Sequence, residues 1–194
     1  MNQQRMSTKK MAGLSLMTAI VVILQFLGSF IHLGPFSVSL VLIPIVVGAA
    51  LYGAGAGAWL GFVFGLIVLL SGDAAFFLAI NAPATVVLVF LKGITAGLAA
   101  GALFNLLKKK NLYLAVIAAA VACPLVNTGV FLAGCSLFFM EGVAQLAQLN
   151  SYTGSIWAYL FVGMAGGNFI AELLTNMFLS PVILRILTAY KEKK

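Results

Sequence analysis

Lys92 and Glu172 stand where ions are expensive. Lys92 lies inside an apolar run from about Asn81 to Leu107, and Glu172 inside another from about Ser155 to Tyr190. Each is roughly 15 Å from the end of its run at about 1.5 Å per residue, too deep to snorkel out. A charge at that depth in a bilayer costs at least about 3 kcal/mol, so each must turn inward toward a partner. Two arrangements satisfy that demand. Either the two side chains pair with each other and tie two helices together, or they face a cavity and meet a guest.

Uncharged polar residues share their faces. Asn81, Thr85, Lys92 and Thr95 follow one another at offsets of 4, 7 and 3, which places them along one side of a helix. Asn168, Glu172 and Asn176 recur at offsets of four. Asn127 stands near Pro124, whose missing N–H leaves a carbonyl without its helical partner. The candidate binding residues are therefore Asn81, Thr85, Lys92, Asn127, Asn168, Glu172 and Asn176. Amides, hydroxyls, one cation and one anion suit a small polar organic molecule better than a bare ion. The alternative for each Asn and Thr is an interhelical hydrogen bond that serves packing alone.

The elements that must position these groups follow from composition. Of the 194 residues 63% are hydrophobic and 8% charged, against roughly half and a quarter in soluble domains. A water-soluble core is excluded, and the expectation is an all-α integral membrane protein with one transmembrane domain over residues 1–194. Breaking the chain at polar and turn-forming clusters gives six helices, at about Met11–Ile31, Ser37–Tyr52, Gly55–Leu70, Asn81–Leu107, Leu112–Phe139 and Ser155–Tyr190. A polar loop carrying Glu141, Gln145, Gln148, Asn150 and Ser151 precedes the last of them. The first run is too long for a signal-peptide core and lacks a small-x-small cleavage site, so it is read as a membrane helix.

Charge patterning tests that division. With the N-terminus inside, Arg5, Lys9, Lys10, Lys108, Lys109, Lys110, Arg185, Lys191, Lys193 and Lys194 all fall on the cytoplasmic side, and Lys92 is the exception. The net charge of +7 therefore reads as membrane topology with both termini cytoplasmic, not as affinity for nucleic acid. Glycines at four-residue intervals, Gly53 to Gly65, Gly93 to Gly101, and Gly163 with Gly167, form small-residue faces for helix packing or for a membrane partner. Phe30, Phe36, Phe76, Phe77, Phe138, Phe139, Trp157 and Tyr159 gather toward the expected outer face, as an interfacial belt or as a lid over an outward pocket. Cys123 and Cys135 share one apolar run and read as packing residues.

No catalytic constellation accompanies this. His32 is the sole histidine, no spacing of His, Cys and carboxylates suggests a metal, and no G-x-x-x-x-G-K-[ST] loop is present to hold ATP phosphates. The expectation is a non-enzyme without a cofactor of its own. If transport consumes ATP, other subunits hydrolyse it.

With these residues in view, the chain resembles the substrate-binding S components of energy-coupling factor (ECF) vitamin transporters over almost its whole length. The resemblance is carried by the size, six helices, and the segments Leu78-Ala-Ile-Asn-Ala-Pro83 and Leu91-Lys-Gly-Ile-Thr-Ala-Gly97. Cys123-Pro-Leu-Val-Asn-Thr-Gly129 and Asn168-Phe-Ile-Ala-Glu-Leu-Leu-Thr-Asn176 add to it. It implies a binder that captures a vitamin near the outer face of a bacterial plasma membrane. The protein then topples to deliver its cargo, with one transmembrane scaffold subunit and two cytosolic ATPases as partners. In that family an A-x-x-x-A face on the first helix docks the scaffold. Here Ser15 and Ala19 are the nearest match, extended by Ala12, with serine at the first position as a departure. The likeness is to the branch of pantothenate and riboflavin carriers, and Lys92 would meet the carboxylate of pantothenate. The competing expectations are a proton-coupled secondary transporter using Glu172 or Asp73, and a non-transporting membrane assembly factor built on the glycine faces.

Overall fold

A computed structural model describes residues 8–29, 32–33, 36–37 and 40–192; Arg5, Phe30, Lys193 and Lys194 lie outside them. The chain is an all-helical membrane protein apart from one small antiparallel ladder. Helix α1 (Thr8–Gly28) leads to β1 (His32–Leu33) and β2 (Phe36–Ser37), in which His32 opposes Ser37 and Leu33 opposes Phe36. Then come α2 (Leu42–Tyr52), α3 (Ala54–Ser71), α4 (Ala75–Leu107) and α5 (Leu112–Phe138). The remainder is α6 (Met140–Leu149), α7 (Ile156–Ala158), a π-helical stretch (Tyr159–Met164), α8 (Gly166–Phe178) and α9 (Ser180–Glu192).

Among the described residues five stretches are long and apolar enough to cross a membrane: α1, α3, α4, α5 and Ile156–Phe178. The expected second span is shorter than its apolar run suggested. It starts only at Leu42 and has 11 residues, about 16 Å of helix where the hydrocarbon core is about 30 Å thick. Apolar on all sides, α2 is buried on nearly all of them, with Leu42, Ile45, Val46, Val47 and Ala49 in the core. Gly53, at φ +99°, then makes the sharp turn into α3 that a side-chain-bearing residue resists.

The last run, expected as one helix, is divided. Glycines at 163, 166 and 167 weaken regular helix there, and the chain widens into the π stretch before α8 begins. Pro181 follows Ser180 in the first turn of α9, where its missing N–H has no partner to lose. The polar loop expected before it is mostly helix. In α6, Val143 and Ala147 are buried while Glu141 stays exposed in the first turn, favourably placed near the positive end of the helix dipole.

The glycine faces of α3 and α4 meet each other. A Cβ on Gly61 would strike the carbonyl of Gly93, one on Gly97 the carbonyl of Gly57, and one on Gly101 the backbone of Ala54. The stripes are thus spent on an internal seam in which two backbones touch, the means of association available in lipid. By contrast α1 is the least embedded of the long helices, with only Val21, Gln25 and Gly28 buried.

Candidate functional site

Beside that seam lies a cavity of about 80 Å³, several times the 10–15 Å³ that a single water requires. Its wall draws on widely separated parts of the chain. Gln25 comes from α1, Phe64 and Val68 from α3, Asp73 from the α3–α4 connection and Lys92 from α4. Asn127, Thr128 and Phe131 come from α5, Met164 from the π stretch, Ala165 from the link after it, and Asn168 and Glu172 from α8.

Four of the residues expected from sequence, Lys92, Asn127, Asn168 and Glu172, therefore share one chamber. The Lys92 ammonium sits 5.4 Å from the ring centroids of both Phe64 and Phe131, within cation–π range. The carboxylates of Glu172 and Asp73 both act on it electrostatically. Lys92 and Glu172, whose pairing and whose turning toward a cavity were the alternatives open in the sequence, both line this cavity. Asn127 and Asn168 are 5% and 8% exposed, and their Oδ1 atoms are buried without a hydrogen-bond partner.

Three expected residues stand elsewhere. Asn81 is exposed and adopts φ −151°, ψ 89°, which breaks α4 into two segments and ends the shared face that the offsets suggested. Its Oδ1 accepts from Ala84 N at 3.1 Å, the bond of a helix N-cap, so Asn81 restarts the helix around Pro83. Thr85 is buried, its hydroxyl donating to Asn81 O at 2.8 Å. It lines a side chamber of about 50 Å³ that shares Val68, Asp73, Lys92 and Phe131 with the main one. Asn176 is 1% exposed and off the chamber wall, with Nδ2 donating to Glu172 O at 2.8 Å. Thr95, read as part of the same α4 face, returns its hydroxyl to Leu91 O at 2.6 Å.

Gln25 was not among the expected site residues, and Asp73 was expected only as a proton site of the competing secondary transporter. Gln25, 2% exposed, donates from Nε2 to Asp73 Oδ2 at 2.7 Å and leaves Oε1 buried without a partner. The signal was present, because Gln25 interrupts the apolar sequence Ile20–Leu27 of α1 and carries the same desolvation cost that singled out Lys92. Asp73 was hidden by its neighbours, since Ser71-Gly72-Asp73 reads as an exposed turn. Of the aromatic group, Phe77 and Phe139 are buried and close edge-to-face with each other at 5.2 Å, and Phe77 with Phe131 at 5.8 Å, walling the side chamber. Trp157 is exposed, and the side chains of Phe30 and Phe36 lie outside the described residues.

On the opposite half of α1, Ala12, Ser15 and Ala19 are all exposed. A groove of about 310 Å³ runs past Ser15, lined also by Met11, Leu14, Thr18 and Trp59. Trp59 Nε1 donates to Thr18 Oγ1 at 3.1 Å across the groove floor. Among the described residues no group of three His, Cys, Asp or Glu is placed to hold a metal ion.

Apolar helices packed around a cavity lined by one cation, two carboxylates and amides with unpartnered oxygens describe a multi-pass membrane protein. The chain belongs to the family described as ECF transporter, substrate-specific component, which matches residues 9–187. It is accordingly a substrate-binding transporter subunit and not an enzyme. Searches of curated proteins and of solved structures gave no significant match.

Proposed function

We propose that this subunit captures a vitamin or similar small molecule in the chamber around Lys92 and passes it to an ATP-driven ECF module in a bacterial plasma membrane. The observation that carries this reading is the convergence of Gln25, Asp73, Lys92, Asn127, Asn168 and Glu172 on one cavity. Of the four buried amide oxygens without donors among the described residues, three, on Gln25, Asn127 and Asn168, belong to residues lining this cavity, and the fourth is on Asn176. Thr85 contributes through the side chamber. The module partners are a transmembrane scaffold subunit and two cytosolic ATPases, and the exposed Ala12, Ser15 and Ala19 of α1 form the docking face for the scaffold.

Pantothenate is the cargo to test first. It carries one carboxylate for Lys92, and its two hydroxyls and amide N–H offer a donor to each of the unpartnered oxygens of Gln25, Asn127 and Asn168. Calorimetric titration of the purified protein with pantothenate should give saturable binding. Panthenol, in which an alcohol replaces the carboxylate, should bind at least tenfold more weakly, about 1.4 kcal/mol. Equal affinities would remove Lys92 as the carboxylate partner. Mass spectrometry of small molecules released from the protein as isolated identifies the cargo directly. Uptake driven by a pH gradient into liposomes holding this chain alone would instead favour a proton-coupled transporter.

A further inference from the structure

The chamber holds an unequal set of charges. Among the described residues, Lys92 is the only Lys or Arg on its wall, and it faces both Asp73 and Glu172. Two of the chain's four acidic residues are therefore gathered around a single cation. Lys9, Lys10, Lys108, Lys109 and Lys110 stand at or beside helix ends, away from the chamber.

The uncharged lining leans the same way. Gln25 Oε1, Asn127 Oδ1 and Asn168 Oδ1 are each buried without a hydrogen-bond partner, on side chains 2%, 5% and 8% exposed. Gln25 Nε2 is occupied by Asp73. Ionised, Asp73 and Glu172 only accept hydrogen bonds, whichever way they are turned. A guest that offers N–H and O–H groups relieves the penalty of these buried acceptors. A guest that brings more acceptors leaves it standing.

A phosphate ester is the extreme case of the second kind. At neutral pH it adds about 1.5 to 2 negative charges and three strong acceptor oxygens. In this chamber those would meet two carboxylates, the unpartnered amide oxygens and one ammonium that the carboxylates already engage. Charges among partly buried groups act more strongly on one another than in bulk water, so the mismatch falls on affinity. Building on the carrier reading above, we infer that the chamber selects the unphosphorylated form of a donor-rich organic molecule bearing at most one anionic group, and rejects its phosphate ester.

The test is calorimetric titration of the full chain in lipid nanodiscs with three matched pairs: pantothenate and 4′-phosphopantothenate, riboflavin and riboflavin 5′-phosphate, thiamine and thiamine monophosphate. In whichever pair binds, the ester should be at least a hundredfold weaker, about 2.7 kcal/mol. An ester that binds as tightly as its parent, or more tightly, overturns this inference and leaves the carrier reading standing. Silence from all six compounds overturns these three vitamins as cargo, and this inference with them. Two isosteric variants isolate the cause: Glu172→Gln and Asp73→Asn should each narrow the discrimination at least tenfold, with the variant's elution in gel filtration showing that it is folded. Discrimination unchanged in both variants means charge is not its source, and overturns the inference.

Discussion

Along α3 and α4, Gly57, Gly61, Gly93 and Gly97 bring backbone against backbone with no room for a methyl group. A short distance away, where α1, α5 and α8 surround Lys92, buried amide oxygens stand without donors beside a cavity. The seam glycines are buried and meet backbone to backbone, whereas Lys92 and Asp73 in the chamber are only half-buried. The chamber keeps polar groups desolvated and unmet, a state that lowers stability unless something else occupies it. Close packing and unmet polar groups thus fall in different places, and α3 and α4 take part in both, with Gly93 in the seam one residue after Lys92 in the chamber.

Substitutions can break that contrast from either side. The largest effect is expected in the seam. Gly61→Leu drives a branched side chain into the Gly93 carbonyl and should destabilise by about 3 kcal/mol or prevent assembly, whereas Gly167→Ala, with open space around it, should leave the melting temperature unchanged. Next is the chamber's cation: Lys92→Ala should weaken cargo binding at least tenfold, about 1.4 kcal/mol, in calorimetry. Unchanged affinity with a lower melting temperature would mean that Lys92 only ties helices together. Asn168→Leu should separate the two roles further, stabilising the empty protein by about 1 kcal/mol in thermal unfolding while weakening binding, because it removes an unmet acceptor. The smallest change is expected at Asn81→Ala, which loses the cap for about 1 kcal/mol or less and leaves affinity intact.

How legible these regions were in the sequence follows from their physics. Glycines at four-residue spacing announce a close helix contact, although periodicity does not say with what; that α3 and α4 use each other required the fold. Lys92 and Glu172 announced themselves through the cost of burying charge. Asn81 misled because face arithmetic assumes an unbroken helix, and Asn81 is itself the break, with Pro83 two residues on. Asn176 obeyed the spacing and still missed the wall; its Nδ2 donates to the carbonyl of Glu172 and its Oδ1 is buried without a partner. Asp73 is brought to Lys92 by tertiary packing that no local pattern encodes. The short α2 and the division of the last run into α8 and α9 were obscured by apolarity itself, which marks what avoids water without marking where a helix stops.

Gln25 gives the most lightly embedded long helix a fixed point inside the protein. Its 2.7 Å bond to Asp73 leaves little slack, since such bonds weaken steeply beyond about 3.2 Å. Sliding or tilting α1 by even a turn must therefore either snap that tether or drag the α3–α4 corner along. Mechanically, α1 is built as a lever: its outer flank is bare, and its inner tooth, Gln25, is seated among the groups that line the chamber.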